Sequence, residues 1–340
     1  MDKKSVLLLD GMNNFKRCFV AFPNVNVNGE HVGAYKGFLS TLAKILREIR
    51  PHRCIIVFDG ANGTKRRKKI YEDYKADRKP MSRKQLNRNH DFNEDIEDSQ
   101  ANQMIMLLDT LSLLPVTVIQ EDGVEADDVI AYLTQQYTNK DWNVTIGSTD
   151  KDFYHLIDDN VSVYNLIKKR TFNHSIFIKE YNHTPKNWLI RRLFVVDGKD
   201  DNIGGIKGIG KKTIEKVLPF LTDTTIQINI DDIKRFIDMQ VSSMDDANKL
   251  KKHFINIQEN FSILERNKQL MDLTLLDFSV NIKLSINSQI KARINTYDVS
   301  KLVKMFTGLQ MRFEYDTYQW INMSFLKLNQ YAKSFNSKCR

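Results

Sequence analysis

The stretch GVEADDVIAYL, residues 123–133, sets Glu125, Asp127 and Asp128 within four residues, directly ahead of an apolar run with helical spacing. Two carboxylates ~4 Å apart repel by about 4 kcal/mol at an effective dielectric near 20, so this cluster needs a cation, a basic partner or water to offset it. More acids follow short apolar runs elsewhere: Asp10 after VLLL, Asp59 after IIVF, and Asp150 and Asp152 just beyond VTIGST. Hard divalent cations take oxygen ligands, and no cluster of His or Cys accompanies these carboxylates.

Positioning such residues falls to the elements around them. SVLLLD (5–10), RCIIVFD (53–59), PVTVIQ (115–120), NVTIGSTD (143–150) and VSVYNL (161–166) read as strands, and 34–49, 99–114 and 126–137 as helices between them. Continuous apolar strands alternating with helices predict an α/β half with a mostly parallel sheet covered on both faces. In open α/β sheets the ligand site lies outside the carboxyl ends of the strands, where Asp10, Asp59, Asp150 and Asp152 would meet the cluster at 125–128. Any one strand-end aspartate could equally cap a helix or close a turn; four such sites in one unit make that reading harder to hold.

The chain has 340 residues and a formal net charge of +9, a balance that points to a polyanionic partner, nucleic acid first. Most of the excess lies between Lys65 and Arg88, where eleven Lys and Arg face three acids. Lacking a strong apolar face, this segment is expected to be a mobile lid or disordered loop, with Tyr71 and Tyr74 offering stacking surfaces for single strands. A solvated charged loop is the plainer alternative. Cys18, Cys54 and Cys339 are odd in number and have no metal-binding spacing, which fits a reducing compartment. The apolar stretch before Asp10 is too short for a signal peptide and no run approaches membrane-spanning length, so a soluble, intracellular protein is expected.

Beyond about residue 190 helical patterns replace strands, near 186–196, 211–220, 246–270 and 297–306. Within DGKDDNIGGIKGIGKKTIEKVL, the residues Gly208, Ile209, Gly210, Lys211, Lys212 and Thr213 form a glycine turn opening a basic helix, suited to meeting a phosphate. A turn between packed helices is the alternative for an isolated match. The tail from about 275 to 340, with Phe313, Tyr315, Tyr318, Trp320 and Phe325, reads as packing.

Taken in order, LLLDG with Arg17, VFDG (57–60), YKADR (74–78), GVEADD (123–128), STDKDF (148–153) and DDNIGGIKGIGKKT (200–213) resemble the flap endonuclease and 5′-3′ exonuclease superfamily, especially its bacterial and bacteriophage 5′ nucleases. The resemblance covers roughly residues 5–275. It implies a resolvase-like, PIN-like α/β nuclease core over 1–185 with an arch inserted at about 60–98, and a helical, helix-hairpin-helix type DNA-binding domain over 186–340. It also implies a divalent-metal-dependent structure-specific 5′ nuclease, exonuclease and flap endonuclease in one, leaving 5′ phosphates in primer removal, replication or repair.

Two Mg²⁺ or Mn²⁺ ions about 4 Å apart are implied, one activating water and both stabilising the attacking and leaving oxygens. Motif position assigns Asp10, Asp59, Glu125, Asp127 and Asp150 to the inner group, and Asp128, Asp152 and Asp201 to a set acting through bound waters. The family's last acidic motif reads GD, two residues, then DN; here DGKDDN puts Gly198 at the first aspartate's place, so that either Asp197 or Asp200 substitutes or the second metal is held more loosely. Lys75 and Arg78 match residues that reach the scissile phosphate, Tyr74 a base-stacking residue, and Arg17 a DNA-contacting arginine, although a surface salt bridge is a competing role for Arg17. The glycine turn at 204–210 would grip duplex DNA, with a bound monovalent cation. The implied partners are branched or 5′-flapped DNA and RNA–DNA primer duplexes, together with a single-strand-binding protein or sliding clamp for a monomer in a bacterial or phage-infected cytoplasm. A PIN-like ribonuclease and a non-catalytic junction-binding protein are the rival readings; the first is expected to lack the arch and GIGKKT, the second to lack the acids.

Overall fold

A computed structural model describes residues 3–22, 29–77, 95–195, 201–245, 247–308 and 316–338. Six strands, β1 (Ser5–Asp10), β2 (Arg53–Asp59), β3 (Thr117–Glu121), β4 (Asn143–Gly147), β5 (Val161–Asn165) and β6 (Arg170–Phe172), form one sheet in the order β3-β2-β1-β4-β5-β6. All neighbours pair in parallel except β5 and β6, which form an antiparallel hairpin. The chain winds outward from β1 through β2 to β3, then returns beside β1 with β4 and winds the other way. The strand order therefore reverses between β1 and β4, the place where an open α/β sheet leaves a crevice at its carboxyl edge.

The helices are α1 (Gly11–Ala21), α2 (Gly33–Ile49), α3 (Lys65–Ile70), α4 (Ile96–Ser112), α5 (Ala126–Thr138), α6 (His174–Tyr181), α7 (Pro185–Phe194), α8 (Lys211–Val217), α9 (Ile230–Ser243), α10 (Lys251–Glu259), α11 (Phe261–Met271), α12 (Val280–Lys291), α13 (Val299–Gly308) and α14 (Thr317–Lys338). The alternating strand-helix plan expected from the sequence is the one observed. Seven elements lie outside the segments expected from the sequence: β6, α1, α3, α6, α9, α12 and α14. The expected helix at 246–270 is two, α10 and α11, broken at Asn260.

Apolar side chains divide among three clusters. On one face of the sheet Leu7, Leu9, Ile56 and Phe58 pack with α1, α2 and α4; on the other Val6, Leu8, Ile55 and Val57 pack with α5. This is the strand alternation with both faces covered, each fully buried large side chain contributing roughly 1.5–3 kcal/mol. The third cluster, from Leu189 to Met271 with Tyr74, is the helical lobe. The tail does not stay with that lobe. Leu302, Phe306, Trp320 and Phe325 join the first sheet cluster, and Leu273, Phe278, Ile286 and Ile290 the second, so the expected 186–340 half is shared between lobe and sheet. The tail's expected packing role is what Trp320 and Phe325 perform, whereas Tyr318 is exposed and Phe313 and Tyr315 lie outside the described residues.

Candidate active site

Each strand-end acid is held by backbone. Asp10 ends β1 and caps α1: its Oδ1 accepts the Asn13 N–H at 3.0 Å and its Oδ2 the Ser148 hydroxyl at 3.0 Å. Asp59 ends β2 and accepts the Ala126 N–H at 2.9 Å, joining the strand to the start of α5. Gly60 follows because a Cβ there would overlap the Glu121 carbonyl, and Gly123 because the turn into GVEADD has φ +76°. Asp150 caps the short 3₁₀ helix Lys151–Leu156 by accepting the Asp152 N–H at 2.8 Å.

These ends converge on a cleft of about 720 Å³ lined by Asp10, Asp59, Glu125, Asp127 and Asp150, with Lys75, Lys16, Arg17 and Lys169 also on its walls. Burial, only partly offset by the Asn13 and Ser148 hydrogen bonds, pushes Asp10 up to about 7. Burial and the neighbouring Asp152 charge push Asp150 up to about 8. Asp127 goes the other way: burial would raise it, but the Arg67 and Lys75 cations outweigh burial and lower it. Carboxylates crowded this closely favour a bound cation, and the donor set is oxygen alone.

The remaining assigned acids sit differently. Asp128 is 2% exposed, does not line the cleft, and accepts hydrogen bonds from two arginines. Asp152 is ion-paired with Arg192. The Asp201 carbonyl accepts the Lys75 N–H at 3.0 Å. Asp197 and Asp200 lie outside the described residues, as does Arg78.

Lys75 pairs with Glu125 on the cleft wall. Tyr74 departs from expectation: instead of an open face for a base it is 3% exposed, packed in the helical lobe's cluster with its hydroxyl 3.4 Å from Glu125 Oε2. Within the expected arch, α3 turns Arg67 inward and Tyr74 is buried, while Lys65, Lys68, Lys69, Glu72 and Asp73 are exposed; residues 78–94 lie outside the described residues. Arg17 lines the cleft with its guanidinium donating to Asn14 at 2.9 Å and Thr41 at 3.1 Å, rather than in a surface salt bridge among the described residues. At the glycine turn Gly208 has φ +83° and Gly210 precedes α8, leaving Lys211 and Lys212 exposed and Thr213 half-buried.

Besides Lys16 and Lys169 on the cleft wall, Arg67 joins the site without a sequence motif of its own. Arg67 is 2% exposed and contacts Glu125, Asp127 and Asp128 together. Its only sequence signal was charge balance: three crowded acids called for a basic partner, and the densest basic segment precedes them.

A doubly wound sheet whose carboxyl edge gathers five carboxylates around an open cleft defines an α/β protein with an oxygen-donor site for hard cations. Residues 5–182 match the family model for the 5′-3′ exonuclease N-terminal resolvase-like domain. A 5′-3′ exonuclease of Aquifex aeolicus is 33% identical over 216 residues, 63% of this chain and 69% of that protein. DNA polymerase I of Caldicellulosiruptor bescii is 27% identical over 318 residues, 90% of this chain but only 35% of the polymerase. The bacteriophage T5 flap endonuclease, solved as a pseudo-enzyme-product complex with DNA and metal ions, shares the fold with a TM-score of 0.59 at 17% identity, over 99% of each chain. The chain belongs to the 5′-3′ exonuclease family.

Proposed function

We propose that this chain is a structure-specific 5′ nuclease, exonuclease and flap endonuclease, in which residues 1–185 carry the chemistry and later segments grip the DNA. The observation that supports it is the convergence of Asp10, Asp59, Glu125, Asp127 and Asp150 on one open cleft with Lys75 on its wall. An oxygen-only donor set with two carboxyls raised by burial fits hard divalent cations, Mg²⁺ or Mn²⁺, and those five residues would hold them. When bound, such ions lower the pKa of a water nucleophile and stabilise the attacking and leaving oxygens.

The protein's own groups divide the remaining work. Lys75 supplies positive charge at the wall where a phosphodiester would enter, with Arg78 as its motif neighbour. Arg17, Lys16 and Lys169 line the same cleft and offer contacts to backbone phosphates. Gly208, Gly210, Lys211, Lys212 and Thr213 form the candidate duplex grip, with a monovalent cation at the turn. The substrates proposed are 5′-flapped or branched DNA and RNA–DNA primer duplexes, met by a monomer in the cytoplasm of a bacterial or phage-infected cell alongside a single-strand-binding protein or clamp. Among the described residues no helix is long and apolar enough to cross a membrane.

Single-turnover cleavage of a 5′-flap duplex and a blunt duplex, with Mg²⁺ and with EDTA, tests the reading. Metal-dependent cutting near the junction is expected. Tight flap binding with no cutting under any divalent metal would leave a non-catalytic junction binder.

A further inference from the structure

Arg67 is buried between two parts of the molecule and uses all three guanidinium nitrogens. Nε donates to the Leu270 carbonyl at 3.0 Å, in the last turn of α11. Nη1 reaches Glu125, Asp127 Oδ1 at 3.3 Å and Asp128 Oδ2 at 3.0 Å, and Nη2 reaches Asp128 Oδ1 at 2.9 Å. Arg66 donates to both Asp128 oxygens from the other side, at 3.0 and 3.2 Å. Both oxygens of Asp128 are thus taken by guanidinium groups, whereas Glu125 and Asp127 line the cleft.

The same end of α11 is tied a second time. The Leu273 N–H donates to His155 Nε2 at 3.1 Å, and His155 lies in the 3₁₀ helix that Asp150 caps. The two elements bearing cleft acids after Asp59 are therefore linked to residues 270–273, the start of α5 through the Arg67 side chain and the 3₁₀ helix directly through His155, where the helical lobe rejoins the sheet.

We propose that Arg67 is a positioning residue for the nuclease reaction, fixing the Glu125–Asp128 turn against the end of α11, and that Asp128 anchors this tie and is not a ligand of the metal. The proposal rests on the nuclease reading above for its consequence, but its geometry stands on Arg67 and Asp128 themselves. A planar fork is required. Lysine keeps the charge yet, as a single point, it cannot hold the Leu270 carbonyl and both Asp128 oxygens at once.

The test is Mn²⁺ binding followed by electron paramagnetic resonance without DNA, with single-turnover cleavage and flap-duplex affinity measured beside it, on Arg67→Lys, Asp128→Asn and Asp127→Asn. Asp128→Asn, which loosens the anchor but removes no ligand, is expected to keep wild-type Mn²⁺ stoichiometry at an affinity lowered no further than in Arg67→Lys, while Asp127→Asn loses binding. Arg67→Lys is expected to weaken Mn²⁺ binding about tenfold at unchanged stoichiometry and to slow cleavage at least as much, with flap affinity unchanged within threefold and the rate partly restored by excess Mn²⁺. Wild-type Mn²⁺ affinity and rate in Arg67→Lys would overturn the positioning role, and a lost Mn²⁺ equivalent in Asp128→Asn would make Asp128 a ligand. Should Arg67→Lys fail to fold by its melting curve, the Asp128→Asn stoichiometry alone decides. If the wild type binds Mn²⁺ but cuts nothing, the nuclease reading fails while the Mn²⁺ titrations still judge the tie.

Discussion

Arg67 and Asp128 form a two-point ion pair in the interior, with Nη2 2.9 Å from Oδ1 and Nη1 3.0 Å from Oδ2. A residue from the basic segment thereby neutralises the acidic start of α5. Removing one partner of a buried pair leaves an uncompensated charge and typically costs about 3–5 kcal/mol. Arg67→Met should therefore lower the melting temperature sharply in EDTA, and adding Asp128→Leu should recover part of the loss. A single mutant as stable as wild type would show that the pair is not formed in solution.

Asp127→Asn should abolish cleavage and keep or strengthen flap binding, since it removes one candidate metal ligand and one like charge from the cleft. Full activity in this variant, measured under single-turnover conditions, would end the assignment of the cleft as the metal site.

Lys75→Ala should slow single-turnover cleavage by about tenfold or more while flap affinity falls less, because the Lys75 ammonium sits on the cleft wall beside Glu125. An unchanged rate at saturating enzyme would remove Lys75 from the catalytic group.

Asp10 and Asp150 titrate in the fold near 7 and 8, far above the 3.8 of a free carboxyl. The folded state therefore holds protons that the unfolded chain releases, and stability from these two groups falls as pH rises through that window. His155 and His183 are lowered, chiefly by burial, so their effect lies below pH 6.5. Melting curves in EDTA should drop by several degrees between pH 6.5 and 8, and saturating Mn²⁺ should flatten the trend, since a bound cation replaces the protons. A rise over that range in EDTA would contradict the buried environment of both carboxyls.

Trp320, 2% exposed in the first sheet cluster, makes α14 part of the α/β core. Trp320→Ala should destabilise the whole protein by about 3–5 kcal/mol, and urea unfolding read separately from the sheet and the helical lobe would show which part weakens. Loss confined to the lobe would mean that α14 packs elsewhere.

The strands were legible because a buried parallel sheet demands unbroken runs such as VLLL and IIVF, and Asp10 and Asp59 stood out because a charge ending such a run has no apolar reason to be there. Tyr74 was misjudged for the opposite reason. An aromatic among cations looks the same whether it faces a base or a core, and only the packing of the lobe's apolar cluster around it decides that it is buried. The tail's α12 and α14 have weak patterns of their own, and their docking on the sheet follows from the surfaces left open there.

The amino-acid sequence by itself determined the chemistry: which carboxylates exist, that they end strands or begin a helix, and that they come with a basic segment and no soft metal ligands. Tertiary structure alone decided how those charges are shared. Asp10, Asp59 and Asp150 line an open cleft, Glu125 and Asp127 line it while also meeting Arg67, and Asp128 and Asp152 stand off its lining against Arg67 and Arg192. The reason is distance along the chain. Arg67, nearly sixty residues earlier in the chain, contacts Glu125, Asp127 and Asp128 alike and is itself held by the Leu270 carbonyl some two hundred residues beyond it, at 3.0 Å, so the sharing of these charges depends on contacts that only the folded chain makes.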